Sequence, residues 1–92
     1  PLFSRLKYLY SKDLSDLGLI YKYRGDYINS EKNYLLAYEI RKDKIGQNPR
    51  NDVSLLLSLG LVYQQKNDFT NAEKYFVKAI ELEKKIEEKQ FF

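Results

Sequence analysis

The sequence predicts an all-α fold in which antiparallel helical hairpins stack as copies of one unit, and three observations carry that prediction. Leu14, Leu17, Gly18, Tyr21, Asp26, Tyr27 and Ala37 return 42 residues later as Leu56, Leu59, Gly60, Tyr63, Asp68, Phe69 and Ala79. Sliding residues 11–42 over 53–84 gives twelve identities, at Leu14, Leu17, Gly18, Leu19, Tyr21, Asp26, Asn29, Glu31, Lys32, Ala37, Glu39 and Lys42, where chance gives roughly two or three. The substitutions keep size and character as well: Ile20 matches Val62, Arg24 matches Lys66, Tyr34 matches Phe76 and Leu35 matches Val77. A period of this length, with small, large and turn-forming residues in fixed register, marks stacked supersecondary units.

The first helix is expected over about Phe3–Tyr23. Leu6, Tyr10, Leu14, Leu17 and Tyr21 fall at spacings of four and three, which keeps one helical face apolar. Ser4 offers a hydroxyl to an early N–H as N-cap. Arg24–Gly25–Asp26 then breaks the helix, because Gly25 can take the left-handed conformation and Asp26 can cap the next helix. The second helix, about Tyr27–Lys44, turns Tyr27, Ser30, Tyr34, Ala37 and Tyr38 inward. Gly46, Asn48 and Pro49 are expected to end it, Pro49 forbidding continuation through the loop, and Asn51 or Asp52 to cap a third helix over about Val53–Lys66.

That third helix is expected to bury Leu56, Leu59, Gly60 and Tyr63. Lys66–Asn67–Asp68 repeats the first turn with Asn as the left-handed residue. The last helix begins near Phe69 and aligns Ala72, Phe76, Ala79, Leu82 and Ile86, a stripe that outlasts the repeat and leaves Ile86 in need of a cover. Glu81 with Lys85 and Lys84 with Glu88 support its solvent side, and Phe91 and Phe92 are either frayed or docked. Together these elements make one domain over residues 1–92, with a repeat over about 11–42, a loop over 45–52, a second repeat over about 53–84 and a helical extension over 85–92.

Close approach of paired helices explains the small residues. Gly18 and Gly60 each leave a gap that a ring on the partner helix can enter, and Ala37 and Ala79 let neighbouring hairpins approach while Tyr34 and Phe76 fill the space. Most of the nine Tyr are accordingly read as packing elements with the phenol oxygen reaching the surface, not as an aromatic ligand cage.

Composition excludes several classes of function. No apolar run approaches the roughly 20 residues that span a bilayer, so no membrane anchor is expected. Without Cys or His, zinc and iron–sulfur sites lack their usual ligands and no cofactor is expected; the absence of Cys fits a reducing, cytoplasmic compartment. The net charge of +3 comes from Lys and Arg scattered among acids, not from the clustered basic stripe that a nucleic acid requires. Asp and Glu are explained by capping or by charge pairing on helix surfaces; Asp13 and Asp16, three apart on one helix face, have a spacing that could bring two carboxylates together but are read as ordinarily solvated, so catalysis is not expected. Pro1 in place of a starting methionine, in a chain with no Met, points to a fragment or a processed chain.

The repeated columns resemble the tetratricopeptide repeat: Leu14, Leu17, Gly18 and Tyr21, then Gly25, Asp26, Tyr27, Tyr34 and Ala37, with their counterparts Leu56, Leu59, Gly60, Tyr63, Asn67, Asp68, Phe69, Phe76 and Ala79, together with Ala72. Ser30 departs from the family's usual alanine, and Lys42 and Lys84 stand where many repeats carry proline. The 42-residue period and the stretch Ala37–Lys42 followed by Gly46 and Pro49 resemble the longer-period variant of kinesin light chains and peptide-sensing bacterial regulators, whose second helices gain about two turns. The resemblance implies a right-handed superhelix whose first helices line a concave groove for a peptide or partner helix. The groove-facing residues it implies are Ser15, Leu19, Lys22 and Tyr23 from the first hairpin and Ser54, Leu57, Ser58, Leu61 and Gln64 from the second. The asparagine with which several relatives clasp a ligand backbone is replaced by Asp16 and Ser58. The Lys and Asn clamp for a C-terminal carboxylate is absent, because Ser15 and Leu19 occupy its columns.

The leading expectation is therefore a non-enzymatic scaffold module of a larger protein, binding another protein or peptide through Leu19, Tyr23, Leu57 and Leu61, with polar contacts from Lys22 and Gln64. The concave leucines could equally be core covered by an adjacent repeat. Two alternatives stand beside the scaffold: the sensing part of a signal-peptide-responsive regulator, and a self-association module joined through the Leu2–Leu9 and Ile86–Phe92 ends. Self-association is considered because about three repeats are usually needed for a stable solenoid.

Overall fold

The computed structural model describes residues 2–91, which are 89% helical without a strand. Helices α1 (Leu2–Tyr23) and α2 (Tyr27–Arg41) form one antiparallel hairpin, and α3 (Pro49–Gln65) and α4 (Phe69–Phe91) form the next. A short 3-10 turn, Lys42–Lys44, comes after α2. The hairpins stack through α2 and α3, and the core runs along that contact, with Tyr34, Ala37, Leu55, Leu56, Leu59, Val62, Tyr63, Ala72, Tyr75 and Ala79 all buried.

The two hairpin turns are copies at the level of single hydrogen bonds. Gly25 N–H donates to the Lys22 carbonyl at 2.9 Å and Asp26 N–H to the Tyr21 carbonyl at 2.9 Å; Asn67 N–H donates to Gln64 at 3.0 Å and Asp68 N–H to Tyr63 at 2.9 Å. Gly25 sits at φ +78° and Asn67 at φ +63°, so the sequence correctly marks both as left-handed residues that close the helix and satisfy its last carbonyls. After each turn an aspartate caps the next helix. Asp26 accepts the Asn29 backbone N–H at 3.1 Å and its side-chain amide at 2.7 Å, and Asp68 accepts the same two groups of Asn71 at 3.2 and 2.7 Å.

The side-chain amide first, and the backbone N–H second, hold both carboxyls below their ordinary value. A carboxyl with a depressed pKa in the folded chain contributes stability above its unfolded value of about 3.9 and loses it as pH falls through the folded value. The melting temperature is therefore expected to hold steady from neutral pH down to about 5 and to drop below about 4. In the Asp26→Asn/Asp68→Asn double variant, thermal melts across this range should show a visibly shallower acid slope.

The boundaries differ from expectation in three places. α1 already includes Ser4, so Ser4 is not its cap; its hydroxyl accepts from Lys44 Nζ at 3.3 Å. α2 ends at Arg41, and only the 3-10 turn carries the chain on to Lys44. α3 starts at Pro49, not Val53, with Asn48 in the N-cap position and no side-chain cap bond. Proline stops a helix that runs into it but is well suited to the first helical position, where its missing N–H has no partner to lose. Asn51 and Asp52 consequently lie inside the first turn of α3 instead of capping it.

Much of the expected apolar stripe of α1 is uncovered: Leu14 is buried, whereas Leu6, Tyr10 and Leu17 are exposed. Ile86 is half-buried against the core and lines, with Ile45, Pro49 and Leu82, a cleft of about 450 Å³, so the inter-repeat loop lies across an open cleft from it. The frayed or docked alternatives for Phe91 and Phe92 lie outside the described side chains.

Candidate partner-binding groove

Each hairpin is keyed by one ring entering one glycine notch. A Cβ built on Gly18 would lie 2.9 Å from ring carbons of Tyr34, and one on Gly60 would lie 2.5 Å from Phe76 Cε1. The rings in the gaps are thus the same Tyr34 and Phe76 expected to fill the space beside Ala37 and Ala79. The departure at Ser30 has a local reason: its buried hydroxyl donates to the Gly18 carbonyl at 2.7 Å, adding a cross-helix bond beside the notch.

These keyed pairs fix how α1 and α3 present their remaining faces. Of the nine residues expected to line a groove, Ser15, Leu19, Lys22 and Tyr23 lie on α1, and Ser54, Leu57, Ser58, Leu61 and Gln64 on α3. Tyr23, at 80%, Leu19, Leu61, Ser54 and Gln64 are exposed; Ser15, Lys22 and Ser58 are intermediate. Leu57 is intermediate as well and packs against the core, unlike the exposed Leu19 and Leu61. Lys22 Nζ stands 5.9 Å from the centre of the Tyr23 ring, within cation–π range.

The Tyr34 ring fills the notch at Gly18 of α1. Burial pushes its phenol pKa up, the Ser58 hydroxyl beside it partly opposes the rise, and the nearby Tyr23 and Asp16 add to it. The sequence reads most tyrosines as packing elements with the phenol oxygen reaching the surface; Tyr34 packs, but it is buried almost entirely, at 2% exposed.

The hairpin–hairpin contact carries its own polar cluster. The Glu31 carboxylate pairs with Lys66, and burial first and Glu31 second push the Tyr63 phenol pKa up. Tyr63 stacks on Tyr75 at 5.6 Å between ring centres, and Tyr75 meets Tyr38 edge to face at 5.6 Å. Near the loop, the buried Asp52 pairs with Arg41 and accepts the Gly46 N–H at 2.8 Å. The roles of Tyr75 and of the Arg41–Asp52 pair are not visible in the sequence. Their repeat counterparts are Asn33, Glu83 and Tyr10, so the comparison of repeats gives them no signal.

Among the described residues no group of three His, Cys, Asp or Glu could hold a metal ion, and no helix is long and apolar enough to cross a membrane. Two hairpins locked by repeated ring-into-glycine keys define a helical-repeat protein. The tetratricopeptide repeat family model matches residues 12–86, and the chain belongs to that family; the longer-period, kinesin light chain-like pattern agrees with the match. Neither the curated proteins nor the solved structures give a match. Tetratricopeptide repeats form non-enzymatic scaffolds that mediate protein–protein interactions, binding other proteins or peptides.

Proposed function

We propose that the face shared by α1 and α3 binds an extended peptide or a partner helix, with Leu19, Tyr23 and Leu61 as apolar contacts and Lys22 and Gln64 as polar ones. The observation that supports this most is that Leu19 and Leu61, one period apart, both remain exposed on first helices while Leu14 and Leu56 on the same helices are buried. Leu19 is 36% and Leu61 39% exposed, so in the same register of both repeats part of a leucine stays at the surface and offers a ligand an apolar foothold.

Peptides selected on the intact chain from a displayed random library provide the test. Burying one leucine contributes about 1.5–3 kcal/mol, so Leu19→Ser with Leu61→Ser is expected to weaken the selected peptides by more than about tenfold. The helical circular dichroism signal should be retained. Leu57→Ser serves as the contrast, because it removes core contacts and should lower the melting temperature. Unchanged affinity in the Leu19/Leu61 double variant would move the binding face elsewhere.

A further inference from the structure

The two ends of this stack are the two halves of a contact the chain already makes inside itself. In that internal contact Lys66 of α3 pairs with Glu31 of α2; four and seven residues along the same helix faces lie Val62 and Leu59, both 0% exposed, on α3, and Tyr27 and Tyr38, half-buried against the core, on α2, with Tyr38 also meeting Tyr75 of α4 edge to face. One period back from α3 lie Leu17, Ile20 and Arg24 on α1. One period forward from α2 lie Phe69, Glu73 and Ile80 on α4. Nothing among the described residues covers these counterparts: Leu17 is 43% exposed, Ile20 48%, Phe69 63% and Ile80 53%.

We infer that a second copy of this chain docks head to tail, its α4 face of Phe69, Glu73 and Ile80 against the α1 face of Leu17, Ile20 and Arg24, as α2 meets α3 within one copy. The signs of charge agree with that placement, since Glu73 would face Arg24 where Glu31 now pairs with Lys66. The apolar surfaces agree too, an aromatic and a branched aliphatic residue on one side meeting two branched aliphatics on the other. The halves are different surfaces, so the contact is heterologous, and each added copy leaves one head and one tail open for growth. It is also weaker than the internal contact. Asp13 stands where Leu55 is buried, Asn33 where Tyr75 stacks, and Tyr10 and Glu83 where Asp52 and Arg41 pair. Association is therefore reversible and concentration-dependent. It uses end faces and none of the groove residues, so it stands or falls independently of peptide binding.

Light scattering and sedimentation of the 92-residue chain test this. Over about 10 μM to 1 mM, the range of weak contacts, the average mass should rise steadily past that of a dimer. Ile20→Glu closes the tail and Ile80→Glu closes the head; both sites are half-exposed, so helicity should survive. Each variant alone should stay monomeric, while their equimolar mixture should form a dimer and nothing larger, because one open head meets one open tail. Independently of these, Glu73→Arg should weaken association by about tenfold or more, and Arg24→Glu in the same chain should restore it. A wild-type chain that stays monomeric at the highest concentration overturns the inference and gives the end faces to another protein's hairpin. Blocked variants that go on associating, or a mixture that yields no dimer, overturn it as well.

Discussion

Asp52→Ala is expected to lower the unfolding free energy by about 3–5 kcal/mol, the usual cost of breaking a buried ion pair from one side. Asp52 is fully buried and holds two groups at once, the Arg41 guanidinium and the Gly46 N–H. Removing the carboxylate leaves a buried cation and a loop N–H without partners. Arg41 also lies 4.6 Å from the centre of the Tyr8 ring, and Asn51 donates to the Tyr8 hydroxyl. The first turns of α1, the end of α2 and the start of α3 therefore all converge on this pair. In urea titrations, Asp52→Leu combined with Arg41→Met should recover most of what either single change loses, because replacing both charges with apolar groups of similar size removes the unpaired ion. A single substitution costing no more than an ordinary surface change would mean that water reaches the pair.

The repeat makes most of this fold legible, and the same fact sets its limits. Gly18 with Gly60, Asp26 with Asp68, and Gly25 with Asn67 announce their roles because the chain states them twice, and the structure places them in matching turns and notches. Features stated once are invisible to that comparison. Arg41, Asp52 and Tyr75 have unlike counterparts, yet they fasten one hairpin to the next. Pro49 misleads for another reason, because proline's two effects oppose each other: it ends a helix arriving from the N-terminal side and favours one beginning at its own position.

The exposed stripe of α1 has a different cause. Periodicity reports which face of a helix is apolar, but not whether this chain or another surface covers it. Leu17 and Leu59 are the same residue in the same register, and only Leu59 has a neighbouring hairpin over it. The candidate groove is the least legible part. It holds no chemistry-bearing group, and its signal is the survival of Leu19 and Leu61 at the surface, which becomes visible only once burial is known.

The notch at Gly60 gives the other large effect, and here two physical terms oppose each other. Alanine in place of glycine inside a helix gains about 1 kcal/mol of propensity, so Gly60→Ala would stabilise an open site. Its Cβ, however, would stand 2.5 and 2.6 Å from Phe76 ring carbons, closer than carbon atoms pack, whereas at Gly18 the nearest ring carbon is 2.9 Å away. Overpacking of this kind costs typically about 1–3 kcal/mol, occasionally more, and it forces α3 and α4 apart along their shared length. Gly60→Ala should therefore be destabilising on balance, and Gly60→Val, which adds branching at the same point, should cost more than about 3 kcal/mol by denaturant titration. Trimming the ring discriminates the cause. If the loss comes from the collision, Phe76→Leu should cost less stability in the Gly60→Ala background than in the wild type, because the smaller side chain vacates the space the new methyl needs. If the loss came instead from altered helix geometry within α3, the two substitutions would simply add. The Tyr34 ring at Gly18 is fully buried and cannot retreat, so Gly18→Ala should also destabilise despite its smaller overlap, and a smaller residue at Tyr34 would relieve it only by opening a cavity in the centre of the core.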